Sequence, residues 1–255
     1  MKKKKLWNIF MFMFMVIITY LFSSIQIKDL KINEEEIRLE QETLKIINAP
    51  KYKIINRNLV IPVDQTNNNK VLLLTIDDGP SKRTKEIMEI LKNHKAGAIF
   101  FINGMHEENN IGVIEEIYKK GFTVGNHTWN HINMNKENDI KVVENEILKN
   151  GELIENLTWA PTRFFRAPYG ESNSNIRKFI KDNGMIFMDW SGATKDWDKS
   201  TIEKDIFINN ALVDLHPGSI ILIHEHPWSV ANLDGLLTTL DEKGYTYIDP
   251  KDIIE

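Results

Sequence analysis

Three short polar clusters, far apart in the chain, hold the residues whose types and spacing could do chemistry. Asp77 and Asp78 directly follow one apolar run, His127 and His131 follow a second, and His224 ends a third. Two imidazoles and one carboxylate form a familiar open site for a catalytic zinc or iron ion. A second carboxylate and a third histidine remain for proton transfer. The clusters therefore predict metal-assisted hydrolysis with a general base and a general acid.

Each cluster also has a plainer explanation. The Asp-Gly-Pro segment that contains Asp78 is strong turn chemistry. A lone pair of histidines four residues apart is a weak metal signal, although on a helical turn His127 and His131 would face the same way and could meet one ion at about 2.0–2.1 Å. His226 competes with His224 for the role of acid, because the two would share a face if the strand continued.

Two further segments are ambiguous from residue types alone. Arg166 follows a short apolar strand and could hold a catalytic carboxylate ionised and oriented, or form only a surface salt bridge. Asp196 and Trp197 are a weaker signal, since a lone tryptophan is as consistent with the core as with a sugar-stacking surface. Neither segment decides the chemistry by itself.

Apolar runs alternate with helical patterns from Val71 onward, and this alternation must position the clusters. Strands are expected at 71–76, 98–102, 122–124, 163–165, 185–188, 219–223 and 245–248, and helices at 83–94, 113–119, 137–156, 175–182, 202–212 and 233–242. Such alternation predicts parallel strands covered by helices, in an α/β barrel or a doubly wound sheet. The polar clusters fall at the carboxyl ends of strands, where barrels collect their chemistry.

Composition excludes several classes of protein. The chain has 255 residues, a net charge of −4 and no cysteine. The charge and the lack of a basic stripe argue against a nucleic-acid partner. Without cysteine there can be no disulfide, thiolate metal ligand or cysteine nucleophile.

The N-terminus predicts export. Lys2 to Lys5 form a basic block, and an apolar run extends from Leu6 to Phe22 without a clean cleavage site after it. This pattern indicates a signal anchor over residues 1–25, with the lysines left inside and the remainder on the extracellular face of the membrane. A cleaved signal peptide, which would give a secreted protein, is the alternative.

The region that follows is expected to be a spacer. Residues 26–69 are charged and weakly periodic, and they end in a polar linker at 64–70. We interpret them as a stalk that holds a catalytic domain, residues 70–255, away from the membrane. The alternative is that part of this stalk packs on the domain as an extra layer.

From about Val71 to Ile248 the chain resembles the polysaccharide deacetylases with a NodB-homology domain, carbohydrate esterase family 4. The resemblance covers most of the chain and includes all five family motifs in order. It implies a distorted (β/α) barrel with an irregular number of strands.

The first motifs carry over residue by residue. Asp77 matches the catalytic base of the family, and Asp78 its metal-binding acid. His127 and His131 match the two metal histidines, and Arg166 matches the arginine that orients the base. The resemblance implies one divalent metal, with Zn²⁺ expected and Co²⁺ as an alternative.

The later motifs match the oxyanion donor, the acetate pocket and the general acid of the family. Tyr169 matches the residue whose backbone N–H helps to hold the oxyanion. Asp196 matches the acid that tunes the catalytic histidine, and Trp197 matches the tryptophan that walls the acetate pocket. Leu222 matches the leucine lining that pocket, and His224 matches the general acid.

The chain departs from the family pattern at several positions. Ile76 replaces a usual phenylalanine, and Ala167 replaces a common proline. Ser191 and Ala193 stand where the family often has acidic residues, which puts substrate contacts of that loop in doubt. Glu225 replaces a frequent aspartate directly after His224.

The resemblance implies removal of N-acetyl groups from a cell-wall polysaccharide, first of all from N-acetylglucosamine of peptidoglycan. Chitooligosaccharides and N-acetylmuramic acid are alternative substrates, and O-acetyl ester hydrolysis is an alternative reaction at the same site. A non-catalytic carbohydrate-binding protein on the same fold is the alternative of another class. We expect the protein to act as a monomer.

Overall fold

The computed structural model describes residues 52–64 and 70–254, together with residues 15, 19 and 38. The predicted signal anchor and most of the predicted stalk lie outside these residues. The chain divides after Ala49, and the architecture below belongs to the unit Pro50–Glu255. None of the helices in the described ranges is long and apolar enough to cross a membrane.

Parallel strands form the centre of this unit, as the alternation predicts. They are β3 (Val71–Gly79), β4 (Ala98–Ile102), β5 (Thr123–Asn126), β6 (Phe164–Phe165), β7 (Ile186–Phe187) and β9 (Ser219–His224). Shorter strands are β1 (Tyr52–Ile55), β2 (Leu59–Pro62), β8 (Gly192–Ala193), β10 (Thr246–Tyr247) and β11 (Ile253–Ile254). The sheet runs in the order β11-β1-β2-β9-β3-β4-β5-β6-β7, and β8 and β10 pair with β9 and β3.

Helices cover this sheet. They are α1 (Thr84–Asn93), α2 (Val113–Lys119), α3 (Ile140–Thr158), α4 (Ser174–Asp182), α5 (Lys204–Val213) and α6 (Pro227–Glu242). One helical face of α1 buries Ile87, Met88 and Leu91 in the largest apolar cluster, which also contains residues of β3, β4 and α6. β4 is apolar throughout, and β3 is apolar from Val71 to Leu74, because both faces of these strands are buried.

The hairpin β1–β2 differs from the expectation that the domain starts at residue 70. β2 pairs with β9 through Leu59 and Ser219, and β1 pairs with β11 through Tyr52 and Ile253. Val60 is buried in an apolar cluster with residues of β3 and β4. Residues 52–62 are therefore part of the sheet, because their apolar side chains and backbone groups complete the edge beside β9.

Strand register brings the carboxyl ends of the central strands to one edge of the sheet. Asp77 of β3 is paired with His224 of β9 and with Phe101 of β4. Asn126, the last residue of β5, is paired with Phe165 of β6. The residues that end these strands or directly follow them therefore meet around one opening.

Candidate active site

Asp78, His127 and His131 form a cluster that could hold a metal ion. Their ligand atoms all lie within 4.8 Å of one another. The Asp78 Oδ1 atom is 3.5 Å from His127 Nε2 and 3.3 Å from His131 Nε2. This oxygen is buried without a hydrogen-bond partner. A buried, unpartnered carboxylate oxygen that faces two imidazole nitrogens fits a divalent cation.

A bulge in β3 places Asp78 in this cluster. The pairing of β3 with β4 shifts register between Asp77 and Gly79, and Asp78 adopts a left-handed φ of 65°. In a regular strand, successive side chains point to opposite faces of the sheet. The bulge re-aims one of them, so both adjacent carboxylates line the same cavity.

The segment that carries the two histidines is a loop and not the helical turn on which their spacing alone would bring both rings to one face. His127 directly follows β5, and Thr128 and His131 have left-handed φ values of 69° and 55°. These two backbone reversals bring the imidazole rings to a centroid distance of 5.0 Å. The Glu146 carboxylate fixes the loop from behind by accepting hydrogen bonds from the backbone and side-chain N–H groups of Asn130, at 2.6 and 2.7 Å.

His127 is held as a neutral imidazole. Its Nδ1–H donates to the Arg166 carbonyl at 2.8 Å, which leaves the Nε2 lone pair directed towards Asp78. Burial lowers the pKa of His127 to about 3, which outweighs the opposite effect of the nearby Asp78 charge. The imidazole is therefore available to a cation over the whole neutral range.

Arg166 forms a hydrogen-bonded ion pair with the second carboxylate, Asp77. The guanidinium is fully buried and donates to Asp77 Oδ1 at 2.8 Å, to Thr75 Oγ1 at 2.7 Å and to the Asp189 carbonyl at 3.0 Å. Burial raises the pKa of Asp77, and the Arg166 charge and hydrogen bond counteract part of this rise. A carboxylate that is fixed in orientation and made more basic suits a general base.

His224, at the end of β9, has a carboxylate partner of its own. Its Nδ1–H donates to Asp196 Oδ1 at 2.7 Å, and its backbone N–H and the Ser229 hydroxyl donate to Asp196 Oδ2 at 2.7 and 2.6 Å. Burial acts to lower the pKa of His224, but the hydrogen bond and charge of Asp196 outweigh it and raise this pKa to about 9. The imidazolium therefore has a proton to give at neutral pH.

Aromatic and apolar side chains complete a cavity of about 510 Å³. Its remaining lining comprises Ala167, Tyr169, Gly170, Trp190, Trp197, Leu222 and His226. The Tyr169 ring packs edge-on against His131, and the Trp197 ring meets His224 edge-on. His226 belongs to the wall, where it stacks on Trp228 at a centroid distance of 4.6 Å.

The structure thus brings all ten residues singled out in the sequence to one cavity or to its immediate support. It also adds residues that sequence reasoning missed. Trp190 lines the cavity, Thr75 receives a hydrogen bond from Arg166, and Ser229 donates to Asp196. A strand residue such as Thr75 and a helix residue such as Ser229 carry no local signal of such contacts.

A family model described as polysaccharide deacetylase matches residues 64–188. A peptidoglycan-N-acetylglucosamine deacetylase of Bacillus cereus is 34% identical over 187 residues, which cover 71% of this chain and 67% of that relative. The chain belongs to the polysaccharide deacetylase family.

Solved structures agree with this assignment to the polysaccharide deacetylases. The crystal structure of a peptidoglycan N-acetylglucosamine deacetylase is 33% identical, with a TM-score of 0.66, over 71% of this chain and 86% of the other. A pseudoenzyme of carbohydrate esterase family 4 from Bacillus anthracis is 30% identical, with the same TM-score of 0.66, over 71% of this chain and 63% of the other. The expected barrel fold is confirmed, and the pseudoenzyme shows that fold and activity are separate questions in this family.

Proposed function

We propose that this chain is a metal-dependent hydrolase that removes N-acetyl groups from a cell-wall polysaccharide, with N-acetylglucosamine of peptidoglycan as the first substrate. One observation carries the proposal. An Arg-bound carboxylate, a three-ligand cation cluster and an Asp-bound histidine line a single cavity. This is the set of groups that hydrolysis of an amide requires.

Asp78, His127 and His131 would hold the metal. The unpartnered Asp78 Oδ1 and the neutral His127 support a cation with nitrogen and oxygen ligands, for which we propose Zn²⁺, with Co²⁺ able to replace it. When bound there, the ion supplies Lewis acidity to the acetamide carbonyl and acidity to a water molecule.

Asp77 is the proposed general base. Its Oδ1 is occupied by Arg166, and its Oδ2 lies 3.7 Å from His127 Nε2, on the side of the cation cluster. This second oxygen removes the proton from the attacking water, and the resulting hydroxide adds to the carbonyl carbon. Arg166 keeps the carboxylate in place during this step and balances its charge.

His224 is the proposed general acid, and it gives its Nε2 proton to the leaving sugar amine. The products are acetate and a free amino sugar. The backbone N–H of Tyr169 is the proposed oxyanion donor, a type of contact typically worth about 2.7–4 kcal/mol. Leu222 and Trp197 are proposed to enclose the acetyl methyl group, and both line the cavity.

The choice of peptidoglycan rests on the relatives, whose names specify peptidoglycan N-acetylglucosamine as their substrate. The test is incubation of the protein with purified peptidoglycan and, in parallel, with chitin oligomers, followed by mass spectrometry of the digested glycans. Loss of acetyl groups with free amines on glucosamine supports the proposal. Acetate release without new amines indicates an O-acetyl esterase, and turnover of chitin oligomers alone indicates a chitooligosaccharide deacetylase.

Absence of turnover on every substrate, with Zn²⁺ bound, would leave a non-catalytic carbohydrate-binding protein. The filled catalytic positions argue against this class. Asp77 and His224 each have the partner that would orient them, at 2.8 and 2.7 Å. Those contacts are of no evident use for binding a sugar alone.

We further propose that the N-terminal segment anchors the domain on the outer face of the membrane. The basic block Lys2 to Lys5 and the apolar run after it support this location. Protease added to wall-stripped cells should degrade the catalytic domain, and full protection would refute the outward orientation. A shortened form in the medium, starting near Ser24 to Lys28, would instead indicate a secreted enzyme.

The proposed catalytic domain begins with the hairpin β1–β2 and not at residue 70. Arg57, in the turn of this hairpin, forms a 2.9 Å ion pair with Asp189, and the Asp189 carbonyl accepts a hydrogen bond from Arg166. A chain truncated to start at Pro50 should therefore retain activity, whereas one starting at Lys70 should lose stability and turnover. Equal activity of the two truncated chains would mean that the hairpin belongs to the stalk and not to the catalytic domain.

A further inference from the structure

Glu225 is a buried carboxylate next to the proposed acid, and it reaches across to the strand that carries the base. It follows His224 directly and is 6% exposed. Its Oε2 atom accepts hydrogen bonds from the Ser81 hydroxyl and from the Thr84 hydroxyl, the latter at 2.6 Å. Ser81 lies in the turn between β3 and α1, and Thr84 is the first residue of α1. Glu225 therefore ties the end of β9 to the segment that follows Asp78.

The other carboxylate oxygen packs on the backbone of that segment. Glu225 Oε1 has no hydrogen-bond partner, and a Cβ atom added to Gly79 would lie 2.5 Å from it. A side chain at Gly79 would displace this carboxylate oxygen. The carboxylate therefore fills the space directly beneath the residue that follows Asp78.

The backbone at Asp78 needs such support. A left-handed φ on a residue other than glycine is strained, and it persists only where the surroundings determine it. On its other side, Gly79 is fixed because its carbonyl accepts a hydrogen bond from the Asn103 N–H at 2.9 Å. Glu225 is the matching contact from the β9 side.

We infer that Glu225 is a positioning residue, which holds the bulge at Asp78 and so sets this metal ligand relative to His224. This inference rests on the proposed function, because it names what aligns the two sides of that site. Glu225 is not among the described residues that line the cavity, so it acts through Gly79, Ser81 and Thr84 and not by touching substrate. Its length and its acceptor oxygen are what the position requires.

Three variants of the full chain separate these requirements. Glu225→Gln keeps the length and one acceptor oxygen, Glu225→Asp is one methylene shorter, and Glu225→Ala removes the group. Glu107→Ala is the matched control, because the Glu107 carboxylate also fixes a loop, by accepting from the Gly112 N–H at 2.9 Å, and does not line the cavity. The measurements are Zn²⁺ affinity by competition with a chromophoric chelator, kcat and KM on chitin oligomers and on peptidoglycan, and thermal unfolding.

Glu225→Ala should weaken Zn²⁺ binding and lower kcat, each by about 10–100-fold, the range for residues that orient metal ligands. KM should change by no more than about 2-fold, because the walls of the cavity are untouched. Glu225→Asp should fall between Ala and the parent chain, and Glu225→Gln should stay within about 3-fold of the parent. Glu107→Ala should lower the unfolding temperature and leave Zn²⁺ affinity and kcat unchanged.

Parent-like Zn²⁺ affinity and kcat in folded Glu225→Ala would overturn the inference. So would a loss in Glu225→Gln as large as in Glu225→Ala, since that result assigns the effect to charge. If Glu225→Ala does not fold, Thr84→Ala takes its place and should show the same joint loss in smaller measure. A parent chain that deacetylates nothing would refute the proposed function, while the Zn²⁺ affinities would still decide the role of Glu225.

Discussion

The cation cluster of Asp78, His127 and His131 differs from the pair His224–Asp196 in how its carboxylate is hydrogen-bonded. We call these two regions the cation side and the acid side of the cavity. On the cation side, the Asp78 side chain is 39% exposed, yet its Oδ1 atom faces two imidazole nitrogens without any hydrogen bond. On the acid side, the Asp196 side chain is 0% exposed, and both of its oxygens accept hydrogen bonds. The first arrangement leaves coordination sites open for a ligand from solution, and the second leaves only one orientation for His224.

Adjacent residues repeat the same difference. Asp77 forms an ion pair with the buried Arg166, whereas Asp78 has no such partner and adopts a left-handed φ. We therefore expect the two neighbouring carboxylates to have different roles, because their partners differ although their residue type is the same. Variants that change one side of the cavity test whether the two sides act independently.

Removing the metal should have the largest effect, because none of the described side chains at the cation cluster could supply the Lewis acidity of the ion. Chelation should abolish acetate release, and Zn²⁺ or Co²⁺ should restore it. His127→Ala should lower the metal content measured by elemental analysis. Full activity in a sample shown to be metal-free would refute the assignment of this side.

Asp77→Asn should separate the two carboxylates. The variant should keep its metal and lose turnover towards the upper end of about 10²–10⁴-fold, because the amide cannot take the proton from water. Metal content and kcat are measured on the same preparation. Loss of the metal in this variant would mean that the roles of Asp77 and Asp78 are reversed.

His224→Ala should reduce kcat by about 10²-fold, at the lower end of the range for loss of a general acid. Metal content should stay at the parent value, since His224 is not among the residues of the cation cluster. His226→Ala is the matched control, and its effect on kcat should be mild because His226 forms part of the wall. The reverse ranking of the two variants would transfer the role of acid to His226.

Asp196→Asn should act mainly on the pH dependence. Burial opposes the charged form of His224, and the Asp196 hydrogen bond and charge, followed by the charges of Asp77 and Asp78, raise its pKa to about 9. Because the acid must be protonated, activity should fall as pH rises through this value. Loss of the Asp196 charge lowers the pKa, so the alkaline limb of kcat/KM should move to lower pH. His226→Ala should leave that limb in place, and an unmoved limb in Asp196→Asn would assign it to another group.

The regular elements of the domain were predictable because their periodicity is local. The strand Ala98–Ile102 and the helix Val113–Lys119 have the predicted bounds, and the other central strands and helices differ mainly at their ends. Polar residues directly after buried strands line one cavity, as their positions at the strand ends predicted. The roles of its residues stay predictions.

The remaining features depend on contacts that no local pattern reports. The strand Gly192–Ala193 exists only because it pairs with Ile221 and Leu222 of β9. The hairpin at residues 52–62 looked like a spacer because the strands it covers lie far along the chain. The left-handed bulge at Asp78 begins a segment, Asp-Gly-Pro, that is also ordinary turn chemistry, so the orientation of Asp78 could not be predicted from the residue types.

Because β1 pairs with β11, the first and the last strand of the described domain lie side by side. Tyr52 lies opposite Ile253 in a parallel pair, and neighbouring strands are about 4.8 Å apart. Three to five added residues, at about 3.3–3.6 Å each, would span the gap from Ile254 back to Tyr52. New termini could be opened between Asn183 and Gly184, where the turn after α4 is exposed. A circularly permuted chain of this kind should bind Zn²⁺ with the parent affinity, since every ligand and its supporting strand would keep the same spatial neighbours.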